Sequence, residues 1–250
     1  MSFRPQVLVL PETASSNQYG LEHFTELGDG TLVLAERQTA GRGRQGHVWH
    51  SPEGGLYASW IVKEFALPSC CAAWLGVLAV LELVRETAPG LQCGIKWPND
   101  LLCDGRKISG VLCESKVSPN SAAPGMLIGI GLNVNTTERD LSGIAGAGTL
   151  ASSLLIETGC RHDVRQLAAS LAKKLSSIYE TAVLHGQERL YSQWKSENIF
   201  LGRNICIKTA DGSQYQGVAE DIGIGGELVL SLPGGGKRRF HSGEASLRPA

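Results

Sequence analysis

The sequence predicts a large mixed α/β domain with a small β-barrel appended at its C-terminal end. Three observations point there. Residues 72–87 are apolar nearly all round, as in a buried helix, and apolar residues recur at helical spacing over 164–178. Short apolar runs bounded by Gly, Pro and Asn-Asp turns alternate with these helices. Beyond Phe200 the texture changes to about 50 residues of short strands and glycine turns.

Taken in order, Val7–Leu10 reads as a strand. Ser15 or Ser16 caps a helix over residues 17–27, with Leu21, Phe24 and Leu27 on one side. Thr31–Glu36 and Leu56–Val62 are strands flanking a glycine-rich loop. Residues 72–87 are apolar nearly all round, as in a buried helix, and Pro89-Gly90 ends it. Ile95–Trp97 and Leu101–Cys103 are short strands interrupted by Pro98. Asp104-Gly105 is a hairpin turn returning the chain along Lys107–Glu114. Met126–Gly131 is a buried strand. Asp163 caps a helix carrying Val164, Leu167, Leu171, Leu175 and Ile178, and a further helix covers Gln187–Lys195. "NICIKT", "QYQGVAED", "GELVLSL" and "KRRFHSG" are the strands of the small domain. This places domains at 1–199 and 200–250.

Composition narrows function. The net charge is −1 and the pI about 6.6, so no global basic field for nucleic acid exists. The longest apolar run, near Cys70–Val84, is too short to span a bilayer. The N-terminus lacks a secretory pattern, which makes the cytoplasm the expected location. Seven cysteines with no C-x-x-C pair are expected to be reduced, buried thiols.

"QTAGRGRQGHVW", residues 38–49, contains Gly41-x-Gly43-x-x-Gly46. A dinucleotide fold would need a helix to start inside this run and an acidic residue about 20 positions on. After Gly46 come His47, Trp49, Pro52, Gly54 and Gly55, with no helical period. A P-loop fails because no Gly-Lys-Ser/Thr follows. What remains is a loop offering backbone N–H groups and the guanidinium groups of Arg42 and Arg44 to phosphate or carboxylate oxygens, or else a solvated basic turn.

Further motifs favour the first reading. Lys96-Trp97-Pro98-Asn99-Asp100 sets a lysine and a carboxylate around a tight turn, and a carboxylate near phosphates commonly holds Mg²⁺. The hairpin returns Lys107 toward Asp100. Gly129-Ile130-Gly131-Leu132-Asn133 ends a buried strand with room for a ligand and an amide able to bond a base edge. No Ser-His-Asp or Cys-His nucleophile spacing stands out, and His47, His50 and His241 read as structural or solvated.

These segments together resemble the biotin–protein ligases. "SSN" at 15–17, "AERQTAGRGRQGHVWHSP", "KWPNDLL", "GRKISGVLCES", "IGIGLNVN" and "GEASLRP" follow in that family's order. Ser16 stands where Thr is usual, and His50 where an aromatic residue is common. The resemblance implies an α+β fold of the class II synthetase-like, biotin–lipoate ligase type with an SH3-like C-terminal barrel. It implies an ATP-dependent, AMP-forming ligase: biotin and MgATP give biotinyl-5′-AMP, and the acyl group then moves to a lysine of a biotin carboxyl carrier domain. By the same resemblance, Ser15, Ser16, Asn17 and Gln38 bind the biotin head group. Gly41, Arg42, Gly43 and Arg44 wrap biotin and the phosphates, Lys107 holds the carboxyl oxygen, and Gly110 packs against biotin. Lys96 and Asp100 face phosphate and Mg²⁺, Trp49 and Asn133 lie near adenine, and Arg248, beside Glu244, reaches the ATP side. The expected catalytic groups are Lys107, Arg42 and Arg44. Fourteen residues precede Ser15, too few for a helix-turn-helix domain, so a monofunctional enzyme without a DNA or membrane partner is expected, compatible with a homodimer. Two alternatives are a lipoate–protein ligase, whose Arg-Arg-x-Ser-Gly-Gly loop is missing here, and a non-catalytic biotin-binding regulator.

Overall fold

In the computed structural model, residues 5–117, 123–142, 150–209, 211–242 and 245–249 are described. Seven strands, β1 (Gln6–Leu10), β2 (Thr31–Ala35), β3 (Leu56–Val62), β4 (Cys93–Lys96), β5 (Asp100–Cys103), β6 (Arg106–Lys116) and β7 (Gly125–Leu132), form one sheet in the order β1-β2-β3-β7-β6-β5-β4. Only β1 and β2 run parallel; every other pairing is antiparallel. The glycine-rich loop therefore joins antiparallel neighbours β2 and β3. No crossover helix follows it, in agreement with the exclusion of a dinucleotide fold.

Helices cover both faces. α1 (Ser16–Glu22) lies on one; α2 (Cys70–Thr87) and α5 (Val164–His185) lie on the other, with α6 (Gln187–Ser196) beside α2 and the short α3 (Glu138–Leu141) and α4 (Leu154–Thr158) between β7 and α5. Twelve residues of α2 are buried, as its all-round apolarity requires. Gly76 lets this helix settle on the sheet, since a Cβ there would come within 2.8 Å of Val111. Asp163 caps α5 by accepting from the Arg165 and Gln166 amides. α1 is shorter than its apolar spacing suggests. The chain leaves the helix at His23 and turns Phe24 onto Val33, Ile61 and Leu127 in a small second core.

That second core is confined to one end of its face. Alternation along the strands carries the same face onward to Ser59, Gly129, Gly131 and Gly110, which are adjacent across β3, β7 and β6. Side chains this small leave the face hollow there.

β8 (Asn204–Thr209), β9 (Gln214–Ile222), β10 (Leu228–Ser231), β11 (Lys237–Phe240) and β12 (Ala245–Pro249) form a second, antiparallel sheet in the order β11-β10-β9-β8-β12, consistent with an SH3-like domain. No pairing between β11 and β12 closes it into a barrel among the described residues. We propose the domain boundary near residue 200 from this change of sheet. The second sheet is tied to the first part by Lys195–Asp221, by the Tyr191 hydroxyl donating to the Ile222 carbonyl, and by Trp97 Nε1 donating to the Gly226 carbonyl at 2.9 Å. Trp97→Phe is expected to lower unfolding free energy by about 0.5–1.5 kcal/mol, because this part-buried hydrogen bond is lost. An unchanged denaturant midpoint would show that this bond contributes nothing.

The cysteine expectation needs correction. Cys93 and Cys103 face each other in register on β4 and β5, with Cα atoms 4.2 Å apart, and form a disulfide. Ten residues of separation reveal nothing until the hairpin register is known. Among the described residues, no helix is long and apolar enough to cross a membrane.

Candidate active site

The hollow end of the sheet opens into a cavity of about 250 Å³. α1 supplies one end of its wall, the glycine loop its lid, and β5, β6 and β7 its floor.

At the α1 end the side chains that line the cavity are neutral and tightly paired; the carboxylate that Asn17 meets, Glu114, is not part of the lining. The Ser16 amide donates to Gln38 Oε1 at 2.8 Å, and Gln38 Nε2 donates to Ser51 Oγ at 2.8 Å. Asn17 Nδ2 donates to the Leu112 carbonyl at 3.1 Å and to Glu114 at 2.8 Å, which uses both of its protons. Asn17 Oδ1 accepts from the Ser59 hydroxyl at 2.5 Å. Ser59 has one proton, so the Ser16 hydroxyl at 2.8 Å donates to Ser59 and keeps its lone pairs. This end therefore presents acceptors from Ser16 and Asn17 and one remaining Gln38 N–H. Ser15, also buried, completes that part of the wall. Gly129 permits it: a Cβ would stand 2.2 Å from Asn17 Oδ1. Gly129→Ala is expected to displace Asn17 and weaken substrate binding at least tenfold, at an overpacking cost of about 1–3 kcal/mol. Unaltered binding by calorimetry would contradict that geometry.

The opposite end is cationic. Lys107 Nζ is 2.7 Å from Asp100 Oδ1 and 5.2 Å from the centre of the Trp49 ring. Arg42 stands between the two ends, pairing at 3.0 Å with Glu114, the carboxylate that also accepts from Asn17. Arg44 faces an amide instead, donating to Asn99 Oδ1 at 3.0 Å, while Asn99 Nδ2 donates to the Val111 carbonyl. Burial lowers the Arg44 guanidinium from its ordinary value, opposed by the field of Asp100. Among the described residues Arg44 makes no direct ion pair; its partner is the Asn99 amide, with Asp100 near enough to act on it through its field. Trp49 stands over Gly131 and Gly110, where Cβ atoms would come within 2.5 Å and 3.1 Å of its ring. Its buried Nε1 has no partner among the described residues.

The cavity brings together Ser15, Ser16, Asn17, Gln38, Arg42, Gly43, Arg44, Trp49, Asp100, Lys107, Gly110 and Asn133. Asn133 is held by donating to the Ser152 carbonyl at 2.8 Å. Three expected residues stand elsewhere. Gly41 is buried behind the loop, where a Cβ would strike the Trp49 carbonyl at 2.4 Å, so its job there is to let the loop close. Lys96 is buried opposite Asp100 in the hairpin and is not part of the cavity wall. Arg248 sits in β12 opposite Cys206; its side chain, and Glu244 altogether, lie outside the described residues. His47 and His50 line the mouth and are exposed. Sequence reasoning missed Asn99, Ser59 and Glu114 as site groups. A lone serine inside the apolar run "LYASWIV" was the available signal for Ser59. Among the described residues no three His, Cys, Asp or Glu side chains converge as metal ligands.

The model of the biotin/lipoate A/B protein ligase family matches residues 9–133, half of the chain. This chain belongs to that family. This ligase is 34% identical over 232 residues to the bifunctional ligase/repressor BirA of Bacillus spizizenii, covering 91% of this chain and 69% of that protein. It is 31% identical over 233 residues to the biotin–[acetyl-CoA-carboxylase] ligase of Paracoccus denitrificans, covering 91% and 95%. Its fold matches the biotin protein ligase from Aquifex aeolicus in complex with biotin and ATP, with TM-score 0.81 and 28% identity over 98% of this chain and 99% of that one. The chain is accordingly a ligase enzyme with the biotin protein ligase fold.

Proposed function

We propose that this ligase joins biotin to the lysine of a biotin carboxyl carrier domain through biotinyl-5′-AMP. One observation carries the reading: a single cavity holds a neutral, hydrogen-bonding end and a cationic end. The neutral end suits a ureido group, whose N–H donors meet Ser16 and Asn17 and whose carbonyl meets Gln38. The cationic end suits a carboxylate approaching an α-phosphate, two anions that repel unless cations lie between them.

In the first step a carboxylate oxygen attacks the α-phosphorus, the bond to the β-phosphate oxygen breaks, and pyrophosphate leaves. Lys107, Arg42 and Arg44 neutralise the charge that gathers there. Trp49 and Asn133 line the side assigned to adenine. In the second step the carrier lysine, as a free amine, attacks the acyl carbon, AMP departs with the bonding electrons, and the amine loses a proton. The glycine loop, closed over the cavity, keeps water from the mixed anhydride.

Magnesium typically binds through one or two carboxylates, water and substrate phosphates, so Asp100 suits such an ion even without a three-residue cage. Bound there, the ion would neutralise phosphate charge. Arg248 is proposed to reach the nucleotide from the second sheet, and the cytoplasm, which holds ATP and carrier domains, is the proposed location. Incubation with biotin, MgATP and an apo carrier domain should release AMP and add one biotinyl group to the carrier by mass. Modification with lipoate but not biotin would overturn the reading.

A further inference from the structure

Glu114 is the anion on which both ends of the cavity meet. Its Oε2 accepts from Arg42 Nη2 at 3.0 Å and from Asn17 Nδ2 at 2.8 Å. Those partners lie 72 and 97 residues away, one in the glycine loop and the other on α1. Alternation along β6 puts Glu114 on the face of Gly110 and Leu112, both of which line the cavity. Two consequences follow. The Asn17 carboxamide cannot turn over, because its nitrogen is claimed by Glu114 and the Leu112 carbonyl and its oxygen by Ser59. Among the described residues Arg42 is held through one terminal nitrogen, which leaves its other N–H groups for an incoming anion.

We propose that Glu114 is a positioning residue that latches the glycine loop to the head-group end and fixes the hydrogen-bonding sense of Asn17. It touches no reacting atom. An ion pair this exposed, with side chains 43% and 25% accessible, adds little to global stability, so its effect belongs to the loop and the ligand. The substrate arm of the test rests on the biotin reading above; the loop arm does not.

Glu114→Gln keeps the shape and one acceptor oxygen but removes the charge. In the ligand-free protein, trypsin cleavage after Arg42, followed by mass spectrometry, should speed up severalfold while the melting temperature holds. In biotin-dependent ATP–pyrophosphate exchange, the KM for biotin should rise roughly tenfold and kcat should fall much less, the pattern of lost uniform binding. In an Arg42→Gln background the same substitution should raise the KM by a smaller factor, because the pair is already broken. Equal cleavage rates in wild type and Glu114→Gln would overturn the latch. An unchanged biotin KM, or fully multiplicative effects of the two substitutions, would overturn the link to substrate. A wild-type protein inert toward biotin would instead defeat the functional reading and leave the cleavage result to judge Glu114.

Discussion

Lys107→Ala is expected to slow biotin-dependent ATP–pyrophosphate exchange by about 10²–10³-fold, the usual loss when one preorganised transition-state donor is removed. Two effects add. The ammonium no longer meets the charge developing between carboxylate and α-phosphate. Asp100, now without the partner 2.7 Å away, also repels both anions. kcat and kcat/KM should fall together, since the lost interaction acts mainly in the transition state. Near-normal exchange in that variant would remove Lys107 from the chemistry.

The second large effect is expected at Arg44. Its guanidinium is partly desolvated and faces the Asn99 amide, so its charge remains available to an adenylate phosphate. Losing a charge-assisted hydrogen bond of about 1.5–3 kcal/mol should speed escape of biotinyl-5′-AMP roughly 10- to 150-fold. Synthesis should fall less, because Lys107 and Arg42 remain. The escaped adenylate would then acylate lysines on bystander proteins. Arg44→Gly also loosens a loop in which Gln45 already has a φ of 53°, so Arg44→Ala separates charge from flexibility. Leakage from both variants supports the phosphate clamp. Labelling confined to the carrier in both would exclude it.

Local signals carried much of the molecule. The all-round apolarity of α2, the apolar period of α5, the Asp163 cap and the Asp104-Gly105 hairpin all act over a few residues, and the structure has them where the sequence expects. That hairpin already implied the meeting of Lys107 and Asp100. The missing helix after Gly46 excluded a dinucleotide fold, and the ordered motifs from "SSN" onward pointed to the family. Only the tertiary structure decided the rest. The strand order, the hollow formed where Ser59, Gly129, Gly131 and Gly110 meet, and the disulfide between Cys93 and Cys103 depend on register across strands. So do the placement of Lys96 outside the cavity wall and the convergence of Asn17 and Arg42 on Glu114. Register is selected by burying one face of the whole sheet at once, and a one-residue slip would send each of these side chains to the opposite face. No short stretch of this sequence contains that sum.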